Sequence, residues 1–238
     1  MRIGAAIFGV TAILIVTAGA LLWSGALRVP DRFNPWAPID IADAPNLLTK
    51  YKLKRLAENR AQCLATLETT PLRFTPQADR NLDLECSFRN VVRVNGSSVP
   101  YSSSFVATCP LAMAIALFER HALQPAAEAA FGQPVAGVTH LGTYACRNVY
   151  GRESGRRSQH ATANAIDLSA FRLKDGKTIN LRRDWADAGS GGDDAEAGFL
   201  RDLRDRACRI FPTVLGPDYN AAHADHFHLD MGGFSICR

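Results

Sequence analysis

The chain contains 238 residues, 47% of them hydrophobic, and its 27 Lys and Arg residues and 23 Asp and Glu residues leave a formal net charge of +4. Residues 3–27 form a run of 25 uncharged residues that contributes much of the hydrophobic content, and without residues 1–27 the chain has 211 residues at a formal +3. This balance excludes a disordered acidic or basic chain and a nucleic-acid binder that depends on a broad basic surface. A single apolar run also excludes a polytopic membrane protein.

The uncharged run at the amino terminus predicts an export element. A membrane-spanning helix needs about 20 apolar residues, whereas the apolar core of a secretory signal usually has about 7 to 15. The length favours a transmembrane helix over residues 1–27, which would anchor a periplasmic domain to the inner membrane. Ser24, Gly25 and Ala26 nevertheless offer small residues for signal cleavage. A protein secreted after cleavage is therefore the alternative.

The rest of the chain predicts a linker and one α+β domain, in which a small antiparallel sheet is flanked by helices. Residues 28–46 are rich in proline and show little periodicity, which predicts an extended linker. The domain is expected at residues 47–238. In chain order its patterns predict a helix at 51–67, a β-rich stretch at 72–108 with a hairpin turn at Asn95 and Gly96, helices at 110–123 and 125–131, a strand at 135–146, a strand hairpin at 165–173 and 178–181, a helix at 195–211 capped by Asp193 and Asp194, and a strand at 226–231.

Six cysteines are spread through the predicted domain, with no Cys-x-x-Cys pair among them. An even number in an oxidising compartment is typical of disulfides, and six cysteines allow about 15 connectivities. Sequential pairing is expected, because each pair would then bracket one short block of the chain. The expected pairs are Cys63 with Cys86, Cys109 with Cys146 and Cys208 with Cys237.

Histidine is unevenly distributed, since four of the six lie in two short segments. His226 and His228 are two apart in a predicted strand and would project from one face. His160 and Asp167 are seven apart, about 10 Å along a helix and further along a strand, so neither regular form lets both bind one metal. A turn at 161–164 would bring them to His228. Because catalytic zinc takes three such protein ligands, this cluster predicts a zinc site on the sheet, with a hydrogen-bonded polar cluster as the alternative.

The two segments also resemble the paired motif of zinc peptidoglycan peptidases, which include D-alanyl-D-alanine carboxypeptidases, dipeptidases and murein endopeptidases. The motifs are Ser158-x-His160-x-x-Ala163-x-Ala165-x-Asp167 and Asp225-His-Phe-His228. Over residues 47–237 the chain resembles the bacterial extensin-like C-terminal domain, which is considered similar to those enzymes. The phrases that carry this resemblance are Cys109-Pro-Leu-Ala, Tyr144-Ala-Cys146-Arg147, His160-Ala-Thr-Ala-Asn164-Ala-Ile-Asp167, Leu215-Gly-Pro-Asp-Tyr-Asn220 and His223-Ala-Asp-His-Phe-His-Leu-Asp230.

The resemblance implies both a ligand set and catalytic residues. The implied zinc ligands are His160, Asp167 and His228. Asp225 matches the general base of the carboxypeptidase members, and His223 and His226 match the active-site histidines of the endopeptidase type. Arg147 falls where the peptidases have a Tyr-Arg signature whose arginine polarises the scissile carbonyl, although Ala145 and Cys146 are interposed here. Arg152, Arg156 and Arg157 are better interpreted as a solvated basic loop, although they could also hold substrate carboxylates.

Two details of the resemblance make structural predictions. Asp225 can carry a proton at the site only if the last strand begins after it, because a regular pleat puts it on the face opposite to His226 and His228. If the strand begins earlier, His226 or His223 takes that role. Ala163 stands where the pattern usually has glycine, and a positive φ there would strain an alanine.

The expected function is that of a zinc metallopeptidase, an endopeptidase or carboxypeptidase that cleaves an amide bond in peptidoglycan stem peptides or cross-links of the cell envelope. Zinc lowers the pKa of a water and polarises a carbonyl, while a carboxylate or imidazole carries the proton. The alternative is a non-catalytic, zinc-containing module of the same fold that binds wall polymer or another protein. Nucleic acid is not an expected partner, and the sequence predicts no oligomeric state.

Overall fold

The computed structural model describes residues 2–83, 86–185 and 195–238. The chain divides into two units, residues 1–38 and residues 39–238. The second unit begins with Ile39, whose side chain is buried in the core. The predicted domain start at residue 47 therefore lies inside this unit. Asp193 and Asp194, the predicted cap of the helix at 195–211, lie outside the described residues.

The first unit contains α1 (Arg2–Trp23) and a short 3-10 helix at Asp31–Phe33. A helix needs about 20 predominantly apolar residues to cross the apolar core of a bilayer. Among the residues that the structure describes, no helix meets this requirement of length and apolar character. The predicted localisation at the inner membrane through an N-terminal spanning helix is therefore not supported, and the prediction is corrected.

The second unit contains six α-helices within the described residues. They are α2 (Thr49–Leu56), α3 (Arg60–Leu67), α4 (Cys109–Phe118), α5 (Gln124–Phe131), α6 (Leu181–Asp184) and α7 (Ala195–Ala207). All but α6 lie in regions predicted to be helical. Every residue of α4 is buried, and a π-helical turn at Glu119–Leu123 joins it to α5. The predicted helix at 51–67 is two helices, because Asn59 is extended and its side chain accepts a hydrogen bond from the backbone N–H of Gln62, which starts α3.

The strands are short. They are β1 (Arg73–Pro76), β2 (Arg80–Asp83), β3 (Cys86–Phe88), β4 (Val91–Gly96), β5 (Phe105–Thr108), β6 (Val135–Gly142), β7 (Ala165–Leu173), β8 (Thr178–Asn180), β9 (Thr213–Leu215), β10 (Phe227–Asp230) and β11 (Ile236–Cys237). Within the described residues they form three sheets, ordered β1-β4-β5, β2-β3 and β11-β9-β10-β7-β6, with β8 also paired to β7. All pairs are antiparallel except β11 with β9. A mixed domain of helices and small, mainly antiparallel sheets is thus confirmed.

One predicted hairpin is confirmed and the other is wrong. Strands β7 and β8 pair around the turn that contains Gly176, whose φ of 94° suits glycine. Asn95 and Gly96 instead end β4, which pairs with β1 and β5. The chain turns after Gly96, where the hydroxyls of Ser97 and Ser98 donate hydrogen bonds to the buried carboxylate of Glu119.

The disulfides pair Cys63 with Cys109, Cys86 with Cys146, and Cys208 with Cys237. Only the last of these was expected. Sequential pairing is wrong for the other four because α3 packs against α4, which puts Cys63 beside the first residue of α4. Cys86 then pairs with Cys146, which lies in the loop after β6. Pairing follows the packing of the elements rather than their order.

The largest sheet separates the core from the candidate site. Strands β7 and β10 pair so that Asp167 lies directly opposite His228. Their neighbours Ile166, Leu168 and Phe227 are at most 1% exposed and belong to the hydrophobic core. Because side chains alternate along a strand, Asp167 and His228 lie on the other face of the sheet.

Candidate metal centre

His160 is delivered to the site by a turn that precedes β7. A short 3-10 helix at Gln159–Thr162 begins where the Ser158 side chain accepts a hydrogen bond from the backbone N–H of His160. Ala163 ends the helix in the left-handed conformation, with φ 54° and ψ 34°. The chain therefore bends sharply between His160 and Asp167, as the prediction of a turn at 161–164 required.

The backbone of Ala163 is strained, as predicted from the presence of alanine where the resembled pattern usually has glycine. An L-residue in the left-handed region costs roughly 1–2 kcal/mol. Its methyl group is nevertheless fully buried, and it packs in a small cluster with Phe88 and Val91. Burial of one methyl group contributes about 0.8 kcal/mol, so packing offsets much of the backbone strain.

Three side chains converge on one point. The Nε2 atom of His160 lies 3.1 Å from Nδ1 of His228 and 3.2 Å from Oδ2 of Asp167. The Nδ1 atom of His228 lies 2.9 Å from Oδ1 of Asp167. The three candidate ligand atoms all lie within 4.8 Å of one another. The structure thus brings together the three residues that the sequence predicts as zinc ligands.

The outer nitrogen of each ligand histidine has its own acceptor. Nδ1 of His160 donates to the backbone carbonyl of Thr143 at 3.2 Å, and Nε2 of His228 donates to the Asp230 carboxylate at 3.0 Å. These partners assign the proton of each neutral ring to its outer nitrogen. The inner nitrogens then both carry lone pairs and face each other beside a carboxylate. Such a set requires a cation or a proton between them, and two imidazoles with one carboxylate fit zinc.

The same contacts shift the pKa values of two members of the cluster. Burial alone would raise the pKa of the Asp167 carboxyl, but hydrogen bonds with His160 and His228 hold that pKa well below its usual range. Burial would lower the pKa of His228, but the hydrogen bonds with Asp167 and Asp230 outweigh it and raise the pKa to about 9. Without a metal, a protonated His228 and an ionised Asp167 therefore form an ion pair at neutral pH.

The predicted proton carriers lie beside this cluster. Strand β10 begins at Phe227, so Asp225 and His226 are outside the regular pleat. The carboxylate of Asp225 accepts a hydrogen bond from Nδ1 of His226 at 2.8 Å, and Nε2 of His226 lies 3.7 Å from Oδ1 of Asp167. Asp225 therefore faces the outer edge of the His226 ring, and the inner edge faces the metal ligands.

His223 completes the row of histidines. It lies in a 3-10 helix at Ala221–His223, and its ring centroid is 5.3 Å from that of His226 and 5.8 Å from that of His228. Burial lowers the pKa of His223 to about 4, with a further contribution from the charges on His228 and His226. His223 is thus neutral at neutral pH.

A cleft of about 490 Å³ opens over the cluster. Its lining includes the three candidate ligands, His223, His226, and three arginines, Arg147, Arg156 and Arg157. The backbone carbonyl of Arg147 accepts a hydrogen bond from the N–H of Ser158 at 3.1 Å, which ties the Arg147 loop to the turn that carries His160. Asp225 and Arg152 are not among the described residues that line the cleft. Two of the three arginines interpreted as a basic loop thus face the cleft.

Sequence reasoning gave no role to several residues that organise the site. They are Thr143, Tyr150, Asn220 and Asp230. Asp230 could have been found, since it is two residues after His228 in a predicted strand and therefore shares its face. The others reach the site through turns, and no spacing rule predicts those contacts. His121 and His140 bond to Ile41 and Ser103 instead and do not line the cleft.

Comparison with known proteins identifies one family. A family model described as "Extensin-like protein C-terminus" matches residues 61–238. No curated protein and no solved structure matches the chain. The matched range includes all six cysteines and both histidine segments. Similarity to the zinc peptidoglycan peptidases is not supported by any relative, and it stays a prediction.

Proposed function

The chain belongs to the Extensin-like protein C-terminus family, and from its histidine and aspartate cluster we propose that it is a zinc-dependent hydrolase. The proposed reaction is cleavage of an amide bond in peptidoglycan stem peptides or cross-links. His160, Asp167 and His228 would hold the zinc, which when bound supplies a Lewis acid and lowers the pKa of a water. The fold alone does not carry this proposal, because one fold can host many functions.

The observation that carries the proposal is the orientation of the two ligand histidines. Thr143 and Asp230 hold the protonated nitrogens outward, so both lone pairs point at the carboxylate of Asp167. Outer partners of this kind recur at catalytic metal sites, where they fix the tautomer and orientation of the ligand. Two neutral rings held in this way leave both inner nitrogens free to bind one metal ion, whereas without a metal a proton must occupy the position between them.

The surrounding side chains suit hydrolysis of an amide. His226 is polarised by the Asp225 carboxylate at 2.8 Å and lines the cleft, so it is better placed than Asp225 to accept a proton and return it to the leaving amine. Asp225 then orients His226. Arg147 lines the cleft with a guanidinium that remains charged, which suits a substrate carbonyl or carboxylate. A peptide stem offers both groups.

The test combines metal content with cleavage. Purified wild-type protein is expected to bind one zinc ion and to release peptides from isolated sacculi. His228→Ala is expected to lose both properties, because it removes one of three ligands. The matched control is His121→Gln, which changes a histidine whose Nε2 contacts the Ile41 carbonyl outside the cleft. Zinc content is measured by elemental analysis and released peptides by mass spectrometry.

Two results would count against the proposal. Zinc bound by a wild-type protein that releases no peptide favours the non-catalytic wall-binding or interaction module. Peptide release that His228→Ala leaves undiminished would exclude the cluster as the catalytic site. Loss of release in His121→Gln as well would mean that the effect comes from instability, and the melting temperature of each variant identifies that case.

A further inference from the structure

Asn220 controls the hydrogen bonding of His223 from outside the metal cluster. The Oδ1 atom of Asn220 lies 2.7 Å from Nδ1 of His223, and the same atom accepts a hydrogen bond from the backbone N–H of Ala222 at 3.1 Å. A backbone N–H can only donate, so this contact identifies the shared atom of Asn220 as its oxygen. The Nδ1 atom of His223 must then be the donor.

This assignment determines what His223 offers to the cleft. A neutral imidazole carries one proton, so a proton on Nδ1 leaves Nε2 as an acceptor. Nε2 lies on the edge of the ring away from Asn220, and His223 lines the cleft beside His226 and His228. The acceptor nitrogen is therefore the one that Asn220 does not occupy, in a ring that lines the cleft.

Asn220 is itself held in place by Tyr150. The Nδ2 group of Asn220 donates a hydrogen bond to the phenol oxygen of Tyr150 at 2.9 Å. Tyr150 has φ 59° and ψ 21°, a left-handed conformation that is rare for a bulky side chain. Strain of this kind persists only where the surroundings fix it, and it is concentrated at functional sites. The backbone is thus strained at the residue whose phenol anchors Asn220.

We infer that Asn220 is a positioning residue that fixes the Nδ1–H tautomer of His223, so that Nε2 of His223 accepts a hydrogen bond from the reacting water or amide group. The inference rests on the proposed function and deepens it, because it gives His223 a role distinct from that of His226. A side chain that holds the far nitrogen of a histidine recurs in hydrolases with unrelated folds. Here an amide oxygen serves His223, while a carboxylate serves His226.

The test compares two substitutions at Asn220. Asn220→Ser keeps an oxygen that can cap the helix at Ala221–His223, but its shorter side chain does not reach the ring of His223. Asn220→Asp keeps an oxygen acceptor for both the Ala222 N–H and the His223 ring. Imidazole ¹⁵N NMR spectra of the zinc-loaded full chain report the tautomer of His223 directly. We expect the Nδ1–H tautomer in the wild type and in Asn220→Asp, and its loss in Asn220→Ser.

Kinetics on a soluble peptidoglycan peptide supply the second measurement. Loss of a residue that orients a histidine at a metal site typically costs about 10- to 100-fold. We expect a loss of that size in kcat for Asn220→Ser, with KM and zinc content unchanged. Asn220→Asp should restore most of kcat. An Nε2–H tautomer in the wild type, or an Nδ1–H tautomer that persists in Asn220→Ser, would overturn the inference. Equal kcat in Asn220→Ser and the wild type would do the same.

These outcomes separate the inference from the proposed function. A wild-type protein that cleaves nothing contradicts the proposed function and removes the catalytic part of the inference. The NMR spectra still decide whether Asn220 fixes the tautomer, because they require no turnover. Tyr150→Phe gives a further check, since it removes the hydroxyl that anchors Asn220 and that also hydrogen-bonds Tyr219. It should shift the His223 tautomer in the same direction as Asn220→Ser.

Discussion

The carboxylate of Asp230 lies 3.0 Å from Nε2 of His228, and its other oxygen accepts a hydrogen bond from the backbone N–H of Gly232 at 2.7 Å. Asp230 is 6% exposed, so water cannot readily replace it. In Asp230→Asn the amide oxygen can still accept from Gly232, which leaves an NH₂ group against the N–H of His228. Two donors then face each other, and His228 must change tautomer or move.

We therefore expect Asp230→Asn to bind zinc about 10- to 100-fold more weakly than the wild type, because a misplaced ligand tautomer weakens metal affinity. Competition with a chromophoric chelator measures the dissociation constant. The matched control is Asp205→Asn, an exposed carboxylate that pairs with Arg204 away from the cleft. An unchanged dissociation constant in Asp230→Asn would contradict the conclusion that Asp230 fixes the tautomer of His228.

Among the elements, the disulfide between Cys86 and Cys146 connects β3 to the loop that follows β6. Arg147 is the next residue of that loop, and it lines the cleft. A disulfide that closes a loop of this length typically stabilises a protein by about 2–4 kcal/mol. This one also limits how far Arg147 can move from the metal ligands.

Replacing both Cys86 and Cys146 by serine should lower the melting temperature and raise KM for a peptide substrate several-fold, with zinc content unchanged, because the Arg147 loop is released. The comparison is the double replacement of Cys63 and Cys109 by serine. Their disulfide joins α3 to α4, and none of the described residues next to these cysteines lines the cleft. That variant should also lose stability but keep its KM. If both variants raise KM equally, the tether has no special role at the cleft.

Elements with a strong sequence pattern could be predicted from the sequence. Very short strands, and features that depend on how two elements pack together, could not. The buried apolar run of α4 and the apolar residues of β7 can be recognised from the local sequence alone. Strands β9 and β11 have three and two residues, too few to show a period. Pairing of Cys63 with Cys109 depends on how α3 packs against α4, which no local pattern encodes.

The same distinction applies to the site. His160, Asp167 and His228 could be predicted because four of the six histidines lie in two short segments that also contain aspartates and that resemble a zinc-binding motif. Thr143 supplies a backbone carbonyl, which any residue could provide, so its sequence position carries no signal. Asn220 acts through a turn whose shape depends on the rest of the fold.

The pH dependence of stability belongs to the whole molecule, and a buried network away from the cleft contributes to it. Glu119 is 3% exposed, and it accepts hydrogen bonds from Ser97, Ser98 and Tyr101. Burial raises the pKa of Glu119 above the ordinary value of 4.5, and those hydrogen bonds only partly oppose it. Burial also raises the pKa of Tyr101, and the charge on Glu119 adds to that shift.

The folded protein therefore binds a proton at Glu119 more tightly than the unfolded chain does. Between pH 4.5 and the raised pKa of Glu119, this group makes the free energy of unfolding fall as pH rises. Glu119→Gln should remove that contribution, because the amide cannot ionise. Urea unfolding of metal-free wild type and Glu119→Gln from about pH 4 to pH 7 measures the difference.

Exposed Glu128→Gln on α5 is the control for the loss of a carboxylate. The difference in unfolding free energy between wild type and Glu119→Gln should change with pH in the direction given above. A difference that is constant across the range would mean that Glu119 ionises alike in the folded and unfolded chains.

The pairing of Asp167 with His228 makes assembly of the sheet and assembly of the metal site a single event. A shift of one residue between β7 and β10 would turn every side chain of one strand to the opposite face. Asp167 or His228 would then enter the core, and Ile166 or Leu229 would enter the cleft. A cation bound by these ligands would therefore stabilise the correctly aligned sheet over any shifted one. The ion required for the proposed reaction would thus also favour the correct strand register.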